Sequence, residues 1–420
     1  MEDDFKIKRC RSCGSERLNP IISLGNQYVT NFISSEEEHN SIPRVPLNLV
    51  LCEECKLLQL EHNAPPESMW GGQYWYKSAI NRLIREDLQD IVEKSKGLVN
   101  LERGDIVIDI GCNDGTLMGF YDKDLGLEVA GFEPSINVAE EAERKGFKVI
   151  NDFFNYGSFI HNFGVKKAKV ITAISMFYDL EDPNIFLRDI VSALDKDGLF
   201  VIQQNYLVKM LENNAFDNIC HEHREYYSLT SLKHLLDRHG LEIFDVEENG
   251  INGGSIRTYI KLRDNESLGT QESANRVRLV LEKEKNSGLD TKIPYEEFAD
   301  RIVNIKKELI DFLIEEKRAG KRICGLGAST RGNTTLQYFE LGPDLIDCIF
   351  DRNSDKWGKK TVGTLIPIES PDKIGGFNPD YQLVLIWHIF KGIGDDEKEF
   401  IKKGGKFILP LPSYRVVDQV

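Results

Sequence analysis

Between residues 104 and 265, short apolar runs take turns with amphipathic stretches. DIVIDIGCNDGT reads as an apolar strand ending in a glycine-rich turn, LEVAGFEPS as a second strand, and INVAEEAERKG as the helix after it. KVIN and AKVITAISMFYDL predict two more strands, NIFLRDIVSALDKDG a helix stopped by glycine, and LFVIQQNY a fifth strand. SLTSLKHLLDRHG adds a helix, and LEIFDVEENG and GSIRTYIKL read as closing strands. Such alternation predicts an α/β fold with a mainly parallel, doubly wound sheet. A second, smaller β–α series opens at RICGLGASTRGNTTLQYF and continues through DLIDCIFDRN, YQLVLIWHI and GKFILPLPS.

The flanks read differently. Residues 1–70 predict a small, strand-poor module in which PLNLVLCEECKLLQL supplies two short strands. An aromatic loop from Gln73 to Tyr76 runs into an amphipathic helix with Ile80, Leu83, Ile84, Leu88 and Ile91 on its apolar face. Residues 266–318 are charged and helical in pattern, interrupted by NSGLDTKIP, and connect the β–α series. The chain therefore divides at 1–70, 71–265, 266–318 and 319–420, which agrees with about three domains for 420 residues.

Composition narrows the function classes. Hydrophobic residues at 41% suffice for buried cores, and 53 Lys and Arg against 68 Asp and Glu give a formal charge of −15. A protein gripping DNA or RNA along its phosphates would show the opposite balance, so no nucleic acid partner is expected. MEDDFKIKRC lacks the apolar stretch of a secretory signal. No run of about 18 apolar residues occurs, so no membrane span and a cytoplasmic location are expected.

Four motifs carry candidate chemistry. Cys10 and Cys13 form one CxxC and Cys52 and Cys55 another, separated by the 38 residues from 14 to 51. Two such pairs suit a structural Zn²⁺ with four thiolates and no open position, more than redox dithiols. The turn Asp109-Ile-Gly111-Cys-Asn113-Asp114-Gly115 follows a strand, and Glu133 ends the next strand 24 residues after Asp109. A carboxylate there can accept both ribose hydroxyls of a nucleoside, and together with the DxGxxxG turn it suggests S-adenosylmethionine, the alternative being a tight turn with no ligand. The third motif is His221-Glu222-His223-Arg224-Glu225, read as acid–base machinery, a structural polar cluster or a metal site. On an extended segment His221 and His223 would point alike and Glu222 away, leaving a metal only two nitrogens. The fourth, Gly325 to Thr334, puts glycines, hydroxyls and Arg331 at a helix N-terminus, where phosphates bind, or is a Rossmann-like turn without ligand.

These blocks, with YWYKSAIN, GFEPS, HEHREYYSL and NGGSIRTYI, make the chain resemble the three-domain sugar C-methyltransferases over nearly its whole length. That family methylates C3 of nucleotide-linked 4-keto-deoxysugars. The resemblance implies an N-terminal zinc-binding domain holding Zn²⁺ with Cys10, Cys13, Cys52 and Cys55. It implies a central class I (Rossmann-like) methyltransferase domain using S-adenosylmethionine, and a C-terminal Rossmann-like platform for the nucleotide-diphosphate sugar. His223 would be the general base, with Glu222, His221 and Tyr76 beside it. Tyr74, Tyr76, Ser78, Asp109, Gly111, Asn113, Asp114, Gly115, Glu133 and Pro134 would surround the cofactor. Tyr227, Asn252, Arg257, Arg331 and Asn333 would face the substrate in a monomer or dimer.

Two positions depart from the family pattern. Cys220 stands where a tyrosine often precedes the HEH triplet, and Asn252 where a histidine often precedes the glycine pair. Both bear on the identity of the sugar more than on methyl transfer. The competing readings are O-methylation of a sugar hydroxyl, methylation of another small metabolite, and a non-catalytic zinc scaffold.

Overall fold

The first sheet grows from the segment between the two cysteine pairs. In the computed structural model, which describes residues 5–69, 74–392 and 395–419, β1 (Leu18–Tyr28) is followed by β2 (Phe32–Ile33), β3 (Arg44–Cys52) and β4 (Leu58–Leu60). Two short helices, α1 (Glu36–Ser41) and α2 (Pro66–Met69), flank them. β1, β3 and β4 pair antiparallel in that order. The module is thus not strand-poor: the eleven-residue β1 is its longest element. Its alternation is hidden because register shifts between Pro20 and Ile22 and between Ser23 and Asn26 flip the buried face.

α3 (Arg82–Leu98) begins after Asn81, whose Oδ1 accepts the Leu83 N–H. It buries Ile84, Leu88, Ile91 and Val92 against the central sheet, each worth roughly 1.5–3 kcal/mol. Ile80, expected on that face, instead lies in the preceding turn and is exposed. The chain then passes through β5 (Ile106–Ile110), β6 (Glu128–Phe132), α4 (Ile136–Arg144), β7 (Lys148–Ile150), α5 (Tyr156–Phe163) and β8 (Ala168–Ile174). α6 (Pro183–Ala193), β9 (Leu194–Asn205), α7 (Leu207–Glu212), β10 (Glu225–Tyr226), α8 (Leu229–Asp237), β11 (Leu241–Asn249) and β12 (Ser255–Leu262) complete the unit.

The seven strands run in the order β11-β12-β9-β8-β5-β6-β7. β5 to β9 are parallel, and β12 is antiparallel to both β9 and β11. The order reverses between β5 and β8, so the carboxyl ends of β5, β6 and β8 open one crevice. β10 leaves this unit and pairs with β4, lending its strand to the N-terminal sheet.

α9 (Gln271–Asn286) and α10 (Ile293–Arg318) carry the chain onward, with the break between them near the predicted NSGLDTKIP. The last sheet contains β13 (Ile323–Leu326), β14 (Ile349–Phe350), β16 (Ile368–Glu369), β17 (Tyr381–Val384), β18 (Lys406–Leu409) and β19 (Arg415–Val417), with α11 (Thr330–Phe339) after β13. Its order is β16-β14-β13-β17-β18-β19, parallel except for β19. β15 (Lys360–Thr361) pairs with β2 instead. Beside that pair the Gln337 side chain accepts the Tyr28 N–H at 2.8 Å and donates to the Tyr28 carbonyl at 3.2 Å, as a strand would. Among the described residues no helix is long and apolar enough to cross a membrane.

Candidate active site

The four cysteines converge. The Sγ atoms of Cys10, Cys13, Cys52 and Cys55 lie within 4.8 Å of one another, with Cys10–Cys55 and Cys13–Cys52 at 3.5 Å. A tetrahedron of Zn–S bonds near 2.3 Å puts sulfurs about 3.8 Å apart, so the donor set fits a closed zinc shell. Gln59 Nε2 donates to Cys10 Sγ at 3.2 Å, the kind of outer bond that orients a metal thiolate.

At the end of β5 the glycine-rich turn coils under Glu133. Gly111 and Gly115 have φ of +69° and +78°, and a Cβ at Gly115 would meet the Phe147 ring at 2.7 Å. Glu133 comes just after β6 with its carboxylate buried, accepting the Asn113 N–H at 3.0 Å and the Ser135 N–H at 2.8 Å. One lone pair on each oxygen remains for a ribose hydroxyl. Asp109 accepts the Thr172 hydroxyl at 2.6 Å, and burial pushes its carboxyl up to about 7, helped by Glu133. Pro134 follows Glu133, and its carbonyl accepts Asn151 Nδ2 at 3.2 Å. The glycine turn with the buried acid beside it, whose oxygens keep free lone pairs, fits S-adenosylmethionine.

Residues 74–79 cross this turn as a strap. Asn137 makes two bonds with the Tyr74 backbone, Asn113 Nδ2 donates to the Tyr76 carbonyl, and Asn113 Oδ1 accepts the Ser78 N–H. Asp114 Oδ2 accepts the Ala79 N–H at 3.1 Å. On its other side, Trp75 donates to Asn31 Oδ1 and its carbonyl accepts Asn353 Nδ2. Lys77 lies 3.4 Å from both Glu141 and Asp355. Gln73, the first residue of the predicted aromatic loop, lies outside the described residues.

Tyr74 and Tyr76 line a cavity of about 1340 Å³ enclosed by all three units. Glu222 and His223 face it from the central unit, Asn252 from the turn before β12, and Arg331 and Lys356 from the C-terminal unit. His223 Nδ1 lies 2.9 Å from the Asn218 carbonyl, which can only accept, so Nδ1 carries the proton and Nε2 keeps its lone pair. Burial lowers this imidazole to about 4, aided by the Arg331 charge and opposed by the Asn218 bond. The ring is therefore neutral at pH 7. Burial pushes the neighbouring Glu222 carboxyl up to about 7.

The second turn repeats the first. Asp351, just past β14, accepts the Ala328 N–H at 2.7 Å and the Asn353 N–H at 2.7 Å. Lys356 is buried, donates to the Ala328 carbonyl at 2.6 Å and lies 3.6 Å from Asp351. Sequence reasoning missed both, although the acid in CIFDRN stands where Glu133 stands in GFEPS.

Several expected site residues point elsewhere. His221 donates from Nε2 to the Val45 carbonyl at 2.9 Å, and burial lowers it to about 4. The segment is a series of bends rather than an extended strand, so Glu222 and His223 share the cavity and His221 does not. Tyr227 is buried against Phe177 with its hydroxyl donating to Glu225 at 3.0 Å. Arg257 is 1% exposed and ties β12 to α3 through Asp87 and Asp90. Asn333 is buried behind the second turn, donating to the Asn31 carbonyl at 3.4 Å. Arg331 does reach the cavity, yet its guanidinium grips Asp217 with two 2.9 Å bonds and donates to the Asn252 carbonyl. Cys220 is fully buried and off the cavity wall, a packing thiol.

A seven-stranded sheet with one reversed strand inside its edge, a glycine-rich turn after its first strand and a strand-end acid define the class I methyltransferase fold. The chain belongs to the three-domain C-methyltransferase family. Family models match in order: a zinc binding domain over residues 10–70, a methyltransferase domain over 76–246 and a C-methyltransferase C-terminal domain over 250–412. C-methyltransferase NovU of Streptomyces niveus is 32% identical over 98% of this chain and 97% of its own. Among solved structures, an S-adenosylmethionine-dependent methyltransferase of Clostridium acetobutylicum is 15% identical, covering 42% of this chain and 92% of its own with a TM-score of 0.33. Another, from Aquifex aeolicus, is 16% identical over 42% and 89%, with a TM-score of 0.32. The strand order, not these scores, carries the fold assignment. The protein is an S-adenosylmethionine-dependent C-methyltransferase with a zinc-binding N-terminal domain.

Proposed function

We propose that the enzyme methylates C3 of a nucleotide-linked 4-keto-deoxysugar, with His223 as general base. The observation that carries this reading is the free Nε2 lone pair of His223, fixed by the Nδ1–H bond to Asn218 and turned to a cavity large enough for a nucleotide sugar. A ketone acidifies the adjacent C–H. His223 Nε2 takes that proton, and the enolate carbon then displaces the methyl group from sulfur. S-adenosylmethionine supplies the electrophilic methyl group, held by Glu133 and the first turn. Tyr74, Tyr76 and Glu222 position sugar and cofactor from the cavity wall.

The diphosphate is assigned to the second turn. The described lining of the cavity contains seven Lys and Arg (77, 82, 85, 331, 352, 356, 403) against five Asp and Glu (67, 222, 351, 372, 399), although the whole chain carries −15. A local positive balance in an acidic protein suits an anionic small substrate. The α11 N-terminus adds open backbone N–H groups.

Incubation with S-adenosylmethionine and nucleotide-linked 4-keto sugars should give a carbon-bound methyl resonance with loss of the C3 proton. A methoxy resonance would show O-methylation and sink the proposal. In heavy water His223→Ala should slow C3 proton exchange about 10²–10⁴-fold. Exchange at the wild-type rate would remove His223 from the base role.

A further inference from the structure

A second imidazole shares the cavity with His223. His388, in the turn after β17, lines the wall, and its Nδ1 is buried with no hydrogen-bond partner. A proton on that nitrogen would be an orphaned buried donor, whereas a bare lone pair there is the tolerated alternative. The neutral ring therefore carries its proton on Nε2, the nitrogen left to face the cavity. His223 has the opposite tautomer, because Asn218 fixes its proton on Nδ1. One ring presents an acceptor and the other a donor. Burial, with the Arg331 charge, lowers the pKa of both and keeps both neutral.

One short turn supports both rings. Asn218 holds His223, while the preceding Asp217 accepts Trp387 Nε1–H at 2.9 Å and both Arg331 bonds. Trp387 and His388 then pack against Gly253, where a Cβ would meet the Trp387 ring at 3.0 Å and His388 Cβ at 3.4 Å. Gly253 follows Asn252, which also lines the cavity. The same end of the cavity thus receives a base on one side and a hydrogen-bond donor on another.

We infer that His388 is a further catalytic residue, whose Nε2–H donates a hydrogen bond to the substrate oxygen that becomes negative when His223 removes the carbon proton. This rests on the C3-methylation reading above. The C–H electron pair moves into the C3–C4 bond, the carbonyl π pair moves onto oxygen, and the proton goes to His223 Nε2. His388 donates to that oxyanion without transferring its proton. When C3 bonds to the methyl carbon the carbonyl re-forms, the C–S electrons stay on sulfur, and His223 releases its proton to water.

The test measures C3 proton exchange in heavy water with S-adenosylhomocysteine bound, alongside kcat and KM, for wild type, His388→Ala and His388→Asn. Loss of an oxyanion donor should lower exchange and kcat together by about 10²–10³-fold, with KM and S-adenosylhomocysteine affinity within about threefold. His388→Asn, whose amide can donate, should recover part of the exchange. Exchange and kcat within about threefold of wild type in His388→Ala overturn the role of His388 alone. A wild-type enzyme that exchanges no C3 proton in any 4-keto sugar overturns the C3-methylation reading, and this role with it. Should His388→Ala not fold, His388→Phe keeps the ring volume without the donor and carries the same expectations.

Discussion

The two glycine-rich turns are built alike and charged differently. Glu133 accepts the Asn113 N–H and Asp351 the Ala328 N–H, each just beyond the strand next to its turn. Around the first turn stand Asp109, Asp114 and Glu133, with Lys145 paired only to Asp114 among them. Around the second stand Lys356, 3.6 Å from Asp351, and Arg331, which is paired with Asp217 but lines the shared cavity. Nearby carboxylates favour a sulfonium cation, and nearby cationic side chains favour a diphosphate. The backbone scaffold is shared, so on the proposed reading side-chain charge, not topology, would sort the two ligands.

The comparison breaks most readily at the acids. Glu133→Gln should weaken S-adenosylhomocysteine binding about 10–100-fold by calorimetry, matching the about 1.5–3 kcal/mol of hydrogen bonds to a charged group. Nucleoside diphosphate affinity should stay within about threefold. Equal losses for both ligands would mean that the turns do not act separately. Asp351→Asn should act on the other ligand alone and on a smaller scale, raising diphosphate affinity about threefold, because it removes a negative charge beside Lys356.

An effect of similar size depends on pH. Asp109 has its pKa raised to about 7, so it is neutral below that pH and charged above it. Affinity for cationic S-adenosylmethionine should therefore rise about threefold as pH increases through 7. Affinity for S-adenosylhomocysteine, whose sulfur is neutral, should not change. Asp109→Asn should abolish the rise, measured by calorimetry across pH 6–8, and a rise that survives would separate Asp109 from the sulfonium.

The sequence pattern disclosed the β–α order, both turns, the cysteine pairs and Glu133, because each is a local signal of spacing. It could not tell which way a side chain leaves a strand when its partner lies far along the chain. Arg257 meets Asp87 and Asp90 of α3, 170 and 167 residues away, so it reads as a spare cation until the sheet is assembled. The HEH triplet misled for a related reason. Alternation holds only on extended backbone, and bends at 220–222 turn Glu222 and His223 to the same cavity. His388 carries no motif, and only the orphaned Nδ1 beside a shared cavity marks it.

β10, the strand lent to the N-terminal sheet, has a practical bearing on how the metal would be studied. Glu225 pairs with Gln59, which also donates to Cys10 Sγ, and Leu60 N–H binds the carbonyl of Arg224, the residue after His223. A cysteine cage with no open coordination position is therefore linked to His223 through Gln59 and the pairing of β4 with β10. Chelation can silence turnover with no catalytic metal involved, so an activity titration against a chelator would misassign the ion's job. Only a readout that follows His223 itself, such as its ring ¹⁵N resonances, separates the architect from the chemist.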